Sequence, residues 1–232
     1  MGILQLLYPS KCIFCRRALD RQEKHICKAC EKTIPWVRGP VCLHCGKPVA
    51  GEEQAYCMDC SAKDSFLTSG RAVFVYDDAM REAVAEFKYA GDLELGGYFA
   101  QIMAEKLAPW LDRWEIDGIV PVPLHRSKIR FRGFNQAAVL AEKIGAKAHV
   151  PVYEEGLIRC RNTRPQKGLS NKERSSNVGN AFAFGNLPAV HKVLLVDDIY
   201  TTGETLEACG KMLEKHGVEK IFFACLCIGK DF

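Results

Sequence analysis

One stretch near the end of the chain constrains the fold more than any other: Val-Leu-Leu-Val-Asp-Asp-Ile-Tyr-Thr-Thr-Gly-Glu-Thr, residues 193–205. Its four leading apolar residues predict a short buried strand of a parallel sheet. This strand ends on two adjacent carboxylates, Asp197 and Asp198. A turn rich in Thr and Gly follows, and a helical pattern begins directly after it. A strand, an acidic pair, a small-residue loop and a helix N-terminus together are typical of an anion site.

The loop fits a phosphate ester on a sugar better than a nucleoside triphosphate. The Lys-containing loop G-x-x-x-x-G-K-[ST] of nucleotide-binding proteins does not occur in the sequence. Thr201, Thr202 and Thr205 offer hydroxyl donors to a phosphate, and Gly203 permits close approach of the backbone. The carboxylates would accept hydrogen bonds from vicinal ribose hydroxyls. Two other interpretations stay open here, the solvated acidic end of a buried strand and the metal-binding strand of an ATPase.

The stretch resembles the 5-phosphoribosyl-1-pyrophosphate (PRPP) motif of the type I phosphoribosyltransferases. This resemblance implies that Asp197 and Asp198 face the ribose hydroxyls of PRPP. It also implies that the loop after them binds the 5-phosphate, through Thr201, Thr202, Gly203, Glu204 and Thr205.

Eight of the twelve cysteines form four Cys-x-x-Cys pairs, each starting fifteen residues after the last: Cys12/Cys15, Cys27/Cys30, Cys42/Cys45 and Cys57/Cys60. The regular spacing indicates an internal duplication. Two such pairs complete a tetrahedral site, so the sequence predicts two structural zinc ions. Sequential pairing and interleaved pairing both stay open. An iron–sulfur cluster is the alternative that four thiolates also suit, whereas a disulfide framework is disfavoured because the sequence shows no signal peptide.

The remaining pattern predicts a two-part organisation. Residues 1–65 are predicted to form a Cys-rich double zinc ribbon module, and residues 66–232 an α/β domain with a largely parallel sheet. Helices and strands alternate in this domain, with strands predicted at 118–123, 181–184, 193–196 and 221–228 and helices at 80–87, 95–110, 135–144 and 203–216. A β-branched run at 72–76 is predicted to precede the sheet.

A first basic segment follows the strand that ends near Pro123. Arg126, Lys128, Arg130 and Arg132 succeed one another there with no acid among them. We predict a phosphate-binding loop, with a merely solvated loop as the alternative. Asn135 is predicted to cap the helix that follows.

A second basic segment spans residues 159–174 and is rich in turn-forming residues. The pattern predicts a mobile loop followed by a capped helical turn, Ser170-x-x-Glu173. A leaving pyrophosphate needs cations that close over it, and Arg164 and Lys167 are the candidates.

The order of the motifs resembles the ComF competence-protein family, which includes the GntX type: Cys-x-x-Cys pairs, Phe87-Lys-Tyr, Val-Pro-Val-Pro-Leu-His, Arg-Gly-Phe-Asn-Gln, Gln-x-Gly-Leu-Ser and the PRPP motif. The resemblance covers nearly the whole chain. It implies a type I phosphoribosyltransferase-like domain that binds PRPP with Mg²⁺ and transfers a phosphoribosyl group to an acceptor. It further implies a pyrophosphate loop of Pro121, Val122, Pro123 and Arg132, and a flexible loop with Arg164, Gln166 and Lys167.

The same resemblance implies a role in natural transformation, with single-stranded DNA and a competence helicase-type protein as partners. A non-catalytic DNA- or partner-binding module and a PRPP-sensing regulator are the alternative functions. The net charge of +4 does not by itself favour nucleic acid. No run approaches the ~18 apolar residues of a membrane span, so we expect a cytoplasmic protein with reduced thiols.

Overall fold

The computed structural model describes residues 11–20, 22–23, 25–62, 64–89, 91–161 and 181–229. The helices in this part are α1 (Lys28–Glu31), α2 (Met58–Ser61), α3 (Asp78–Tyr89), α4 (Leu93–Trp114), α5 (Arg126–Arg132), α6 (Gln136–Ala148) and α7 (Glu204–Lys215). The strands are β1 (Ser69–Val75), β2 (Gly118–Pro121), β3 (Leu157–Arg159), β4 (Phe182–Phe184), β5 (Lys192–Tyr200) and β6 (Lys220–Ile228). Within the described residues, no helix combines the length and the apolar character that crossing a membrane requires.

The main sheet is parallel, as predicted, and has four strands in the order β1-β6-β5-β2. Pro121 at the end of β2 pairs with Val196 of β5, and Tyr200 at the end of β5 pairs with Ile228 of β6. Parallel strands bring their carboxyl ends to one edge of the sheet, where ligands bind in α/β proteins. The acidic pair of β5 therefore lies beside the residues that follow β2.

The position of β1 corrects the expectation that the run at 72–76 precedes the sheet. This run belongs to β1, which pairs in parallel with β6 and forms an edge of the main sheet. Its burial on both sides, from Gly70 to Val75, agrees with the β-branched composition of the run. The sequence around β1 does not indicate this pairing, because β6 lies near the other end of the chain.

The strand predicted at 181–184 also lies elsewhere than expected. It is β4, which pairs antiparallel with β3 in a separate two-stranded sheet. Phe184 of β4 stacks on His216, directly after α7, with ring centroids 4.0 Å apart. The small sheet therefore covers the α7 side of the molecule rather than extending the main sheet.

Apolar side chains cover both faces of the main sheet. On one face, Phe87 of α3 and Phe99 of α4 pack edge to face, with ring centroids 6.1 Å apart, in a core that also includes Ile144 of α6. On the other face, Leu206 and Leu213 of α7 pack with residues of β3, β4 and the second zinc ribbon. Coverage of both faces explains why residues 193–196 of β5 and 221–228 of β6 are continuously apolar.

The Cys-rich segment packs directly against the α/β domain. Ile13 and Ile34 are buried in the same core as α3 and α4. Arg16 forms an ion pair with Glu86 of α3, and His25 lies against Tyr98 of α4 with ring centroids 4.7 Å apart. The ribbons therefore share a hydrophobic core with the sheet. A division of the chain after residue 65 stays a prediction.

A glycine in β1 allows the tightest packing in this core. A Cβ on Gly70 would overlap the ring of Phe223 in β6. That ring stacks on Tyr200, with centroids 5.0 Å apart and planes 9° apart. Tyr200 in turn lies so close to Gly203 that a Cβ there would stand 2.6 Å from its hydroxyl. Gly70 thus supports, through two stacked rings, the loop that follows β5.

Replacing this glycine tests the packing. Gly70→Ala is expected to lower the free energy of unfolding by about 1–3 kcal/mol, because an added methyl group overpacks a full core. The matched control is Gly97→Ala in α4, where a Cβ meets nothing within 4 Å. There the better helix propensity of Ala should raise the free energy of unfolding by about 0.5–1 kcal/mol. Denaturant unfolding at saturating zinc measures both, and equal values for the two variants would contradict the packing argument.

Candidate functional site

The eight paired cysteines form two clusters of four thiols, pairing sequentially: Cys12, Cys15, Cys27 and Cys30 in one, and Cys42, Cys45, Cys57 and Cys60 in the other. The sulfur atoms of each cluster lie within 4.8 Å of one another. All twelve cysteines of the chain lie in the described part, and none forms a disulfide. The structure therefore contradicts two alternatives weighed from the sequence, an interleaved pairing of the cysteines and a disulfide framework.

Each cluster has the dimensions of a single-ion site. The Sγ atoms of Cys15 and Cys27 are 3.6 Å apart, and those of Cys45 and Cys57 are 3.7 Å apart. Zinc–sulfur bonds of about 2.3 Å in a tetrahedron place the sulfurs about 3.8 Å apart. A multi-iron cluster binds its thiolates on different metal atoms and needs them further apart. The two clusters suit two structural zinc ions.

The turns that shape the two clusters are equivalent. Arg16 and Gly46 directly follow the second cysteine of their pairs, and both have a positive φ, of 61° and 77°. The N–H of each donates to the carbonyl of the pair's first cysteine, Cys12 or Cys42, over 2.9 Å. A glycine suits this left-handed position, whereas Arg16 adopts it at a steric cost.

The acidic pair lies near the carboxyl end of β5, which continues two residues beyond it to Tyr200. Lys88 of α3 reaches this point and forms an ion pair with Asp198, with 2.9 Å between Nζ and Oδ2. Each of the two side chains is only 15% exposed. Burial alone would lower the pKa of Lys88, but Asp198 and Asp197 more than offset this and raise it above its ordinary value.

The two carboxylates differ in their environment. Burial and the neighbouring charge of Asp198 raise the pKa of Asp197 to about 7. The N–H of Asp198, which donates to Asp197 Oδ1 over 2.8 Å, and the charges of Lys88 and Arg159 act in the opposite direction. Asp197 therefore titrates near neutral pH, and its protonation changes the charge of the site.

Four cations surround the acidic pair: Lys88, Lys128, Arg132 and Arg159. Burial lowers the pKa of Lys128, and the charges of Arg159, Arg132 and Lys88 lower it further. Burial likewise lowers the pKa of Arg159. Among the described residues, these four cations outnumber the two carboxylates, which favours a highly charged anionic ligand.

The loop after β5 forms a small concavity of its own, lined from Ile199 to Leu206 with Asp197 at its edge. Gly203 has a φ of 78° and precedes α7, and no side chain caps the first N–H groups of this helix. The first N–H groups of a helix are donors that anions accept, and the threonines that offer hydroxyl donors line the same concavity. The structure thus brings together Thr201, Thr202, Gly203, Glu204 and Thr205 next to the acidic pair.

The residues after β2 lie directly beside β5. The N–H of Val122 donates to the carbonyl of Val196 over 2.8 Å, which holds Pro121–Pro123 against the strand that carries Asp197. Asn135 caps α6 as predicted, since its Oδ1 accepts from the N–H of Ala137 over 3.2 Å.

The basic segment after Pro123 is a helix, which corrects the loop predicted there. Arg126–Arg132 form α5, which begins after His125 and ends at Gly133, a residue with a φ of 85°. Arg132 projects from its last turn, donating to Gln136 over 2.8 Å and to the hydroxyl of Tyr89 over 3.3 Å. The glycine at the end of a helical run is a stop signal that the sequence does carry.

Two site residues, Lys88 and Arg159, were not among the sequence-based candidates, whereas Lys128 belongs to the basic segment that was predicted to bind phosphate. Lys88 stands within the Phe87-Lys-Tyr motif and Lys128 within the basic run, but their approach to Asp198 depends on how distant elements pack. Arg159 ends β3, which the sequence did not predict. The candidates Arg164, Gln166 and Lys167, and the turn at Ser170–Glu173, lie outside the described residues.

Metal analysis checks the two clusters. Purified protein should contain about two zinc ions per chain, since each closed set of four thiolates holds one. Cys27→Ser is expected to leave about one and to lower the melting temperature, because a structural metal supplies folding energy. Cys160→Ser, at an exposed cysteine outside both clusters, is the control and should retain both ions. Iron in place of zinc, or one metal in the unmutated chain, would contradict the assignment.

A pH series tests the environment of Asp197. The folded protein binds a proton on this carboxyl more tightly than the unfolded chain, so protonation adds stability that is lost as the pH rises through about 7. The free energy of unfolding of the wild type, relative to Asp197→Asn, should therefore fall between about pH 5 and 7, by at most about 1.4 kcal/mol per pH unit. Asp112→Asn, at an exposed site on α4, is the control. If the difference in free energy of unfolding between the wild type and Asp197→Asn does not change between pH 5 and 7, the pKa of Asp197 is not raised.

Comparisons with known proteins agree with this architecture. A double zinc ribbon domain matches residues 3–61, and a phosphoribosyl transferase domain matches residues 96–231. Competence protein F of Haemophilus influenzae is 30% identical over 217 residues, which cover 91% of this chain and 93% of that protein. Competence protein ComFC of Bacillus subtilis is 30% identical over 86% of this chain and 82% of its own length.

A third relative, the DNA utilization protein YhgH of Escherichia coli, is 26% identical over 96% of this chain and 98% of its own length. The match to these relatives runs through both the zinc ribbons and the phosphoribosyl transferase domain. The chain belongs to the ComF family of competence proteins.

Proposed function

We propose that this protein binds PRPP at the carboxyl end of β5 and transfers its phosphoribosyl group to a nucleophilic acceptor. The observation that carries the proposal is the combination of an acidic pair, an uncapped helix N-terminus directly after it and an excess of cations around both. PRPP carries one group for each of these features. Its ribose hydroxyls suit the acidic pair, its 5-phosphate suits the helix N-terminus, and its pyrophosphate suits the cations.

Each part of PRPP has a matching part of the site. The 5-phosphate would accept hydrogen bonds from the loop of Thr201–Thr205 and the first N–H groups of α7. The ribose hydroxyls would donate to Asp197 and Asp198. Lys88, which already holds Asp198 in place, would face the pyrophosphate together with Lys128, Arg132 and Arg159.

The proposed transfer breaks the bond between C1 of the ribose and the pyrophosphate oxygen. Pyrophosphate leaves with the electron pair, and a lone pair of the acceptor forms the new bond to C1, after which the acceptor loses its proton. The cations around the acidic pair stabilise the charge that develops on the leaving oxygen. Asp197, with its pKa near neutrality, is placed to accept a proton.

A magnesium ion at this site would be bound mainly by the phosphates of PRPP rather than by protein side chains. In the described part of the chain, the clusters of three or more close metal-ligating side chains are the two cysteine sets, so no carboxylate cage is present there. Mg²⁺ typically keeps several waters and binds one or two carboxylates plus substrate phosphates. Asp197 and Asp198 are the residues that would meet it, and the ion would neutralise charge on the pyrophosphate.

The relatives give the biological setting of the proposal. The names of these proteins concern competence and DNA utilization. For this protein we propose a place in the cytoplasm, in the handling of incoming single-stranded DNA beside a helicase-type partner. A PRPP-sensing regulator is the second candidate. Such a regulator would make the same contacts to PRPP and leave its bond to pyrophosphate intact.

Calorimetry with PRPP and Mg²⁺ tests the binding step. Asp198→Asn should weaken binding by about 1.5–3 kcal/mol, since it removes a charged acceptor. Because this change also leaves Lys88 without its partner, Thr201→Val provides a second variant at an exposed hydroxyl, with a loss of similar size expected. Glu142→Gln, on the exposed face of α6, is the control. Unchanged affinity in both site variants would contradict the proposed placement of PRPP.

Release of pyrophosphate distinguishes the enzyme from the sensor. Wild-type protein is incubated with PRPP, Mg²⁺ and a panel of nucleobases and amines, and pyrophosphate is followed over time. Acceptor-dependent release that is lost in Asp198→Asn supports transfer. Tight binding without release on any acceptor supports the sensor.

A further inference from the structure

A cavity with a different chemistry lies where the second zinc ribbon meets the start of α7. It has a volume of about 270 Å³. Side chains of the ribbon, of the linker after it, of β5 and of α7 line this cavity, among them Tyr56, Asp59, Asp64, Tyr200, Thr202 and Glu207. We refer to it as the ribbon cavity. The acidic pair of β5 does not line it, so the two sites are separate.

The ribbon cavity carries negative charge. Three of its lining residues are acids, and none of the described lining residues is a Lys or an Arg. Asp59 is paired with Lys47, with 2.8 Å between Oδ2 and Nζ. Asp64 and Glu207 form no ion pair within the part of the chain that the structure describes. The zinc-bound second cluster beside them adds about two negative charges, which Arg71 offsets in part.

Neutral donors hold the carboxylate of Glu207 in place. The hydroxyl of Ser65 donates to its Oε1 over 2.5 Å, and the N–H of Phe66 donates to its Oε2 over 3.0 Å. Each carboxylate oxygen keeps a second lone pair for a ligand. Lys211, one turn further along α7, lies 5.9 Å from the ring centroid of Phe66 and does not pair with Glu207. The carboxylate is therefore oriented without being neutralised.

Tyr200 is an independent indication of a ligand. The residue is only 7% exposed, it lines the cavity, and its hydroxyl has no hydrogen-bond partner among the residues that the structure describes. Burial raises the pKa of Tyr200 far above its ordinary value, and the charges of the second cysteine cluster and of Glu207 raise it further. The hydroxyl therefore stays protonated beside the acids and is available to a polar ligand.

We propose that the ribbon cavity binds the ammonium group of a primary amine. An ammonium has three N–H donors, and the cavity offers three acceptors, the carboxylates of Asp64 and Glu207 and the hydroxyl oxygen of Tyr200. The half-exposed ring of Tyr56 would cover the methylene groups next to the ammonium. A hydrogen bond between an ammonium and a carboxylate is stronger than one between neutral groups.

An ammonium fits this cavity better than a metal ion or an anion. In the described part of the chain, the sets of three or more metal-ligating side chains with mutually close atoms are the two cysteine clusters. The three acids of the cavity are therefore too far apart to coordinate one metal ion together. An anion would be repelled by the same acids.

A bound amine would also act on the neighbouring loop. Thr202 lines both the ribbon cavity and the concavity of the loop after β5. The residues 201–205 of this loop include no Lys or Arg, so the amine would add a positive charge beside it. Binding of the amine itself requires no PRPP, and the proposal does not rest on phosphoribosyl transfer.

Ligand-observed NMR with cadaverine tests the proposal on the full-length, zinc-loaded protein in the absence of PRPP. Cadaverine is a five-carbon diamine, and pentane-1,5-diol is its neutral counterpart of the same length. At pH 8 imidazoles are neutral, so His44, which also lines the cavity, does not supply a competing cation. Cadaverine should bind with saturation, whereas the diol should not.

Two variants place the amine in the cavity. Glu207→Gln should weaken binding about tenfold or more, because it removes a charged acceptor. Tyr200→Phe keeps the ring that stacks on Phe223 and should weaken binding about fivefold by removing one hydrogen bond. The matched control is Glu52→Gln, at an exposed acid of the same ribbon that does not line the cavity, and it should bind like the wild type. If Glu207→Gln lowers the melting temperature strongly, Tyr200→Phe decides the matter.

A second probe distinguishes a free amine from the side chain of a protein. Nα-acetyl-lysine amide presents the same ammonium on an amino acid. Tighter binding of this probe than of cadaverine supports a lysine side chain as the ligand, and the reverse order supports a free diamine.

Four results would overturn the proposal. These are no saturable binding of either amine, equal binding of the diol, unchanged cadaverine affinity in both site variants, and displacement of cadaverine by an equal concentration of Mg²⁺. The last result would identify a metal site instead. All four can be read whether or not the protein binds PRPP.

Discussion

The balance of charge at the end of β5 is the constraint on which the functional half of the structure depends. Two adjacent carboxylates in a shielded position repel each other and lose hydration, which costs free energy. Lys88 offsets this cost through its ion pair with Asp198, and Arg159 and the Asp198 N–H offset it at Asp197. These partners come from α3, β3 and β5 itself. The acidic pair is therefore stable only when three separate elements have reached their places.

The central strand and its loop could be predicted from sequence because their pattern is local. The apolar run 193–196, the acidic pair and Gly203 occur within thirteen consecutive positions, and the structure shows a buried strand, a positive φ and a helix start there. The cysteine clusters were predictable for the same reason, since two pairs at a fixed spacing define a metal site whatever the surrounding fold. The pairing order was not, because it depends on how the ribbons close.

The elements that the sequence did not place correctly depend on long-range pairing. β1 was expected before the sheet, yet it pairs with β6 from the other end of the chain. β4 was expected in the main sheet, yet its partner is β3. Lys88 follows the buried Phe87 in an amphipathic helix, so its position along the sequence predicts partial exposure. Only the docking of α3 beside β5 shows why a lysine there is buried against a carboxylate.

The second zinc ribbon is joined to β1 by hydrogen bonds to its backbone carbonyls. The carbonyls of Leu43 and His44, inside the turn between Cys42 and Cys45, accept hydrogen bonds from Arg71 and from the N–H of Gly70, the latter over 2.6 Å. The guanidinium of Arg71 in turn lies 3.9 Å from the ring centroid of Trp110 in α4.

Gly70 continues this connection in the other direction. It leaves room for Phe223, and Phe223 supports Tyr200 against the loop at Gly203. A second link runs from the linker after the ribbon, where Ser65 and the N–H of Phe66 donate to Glu207 in the first turns of α7 over 2.5 and 3.0 Å. The turn between Cys42 and Cys45 thus helps to hold β1, and through β1 the loop at Gly203. The second ribbon is thereby joined to the phosphoribosyl transferase domain by hydrogen bonds as well as by the shared core.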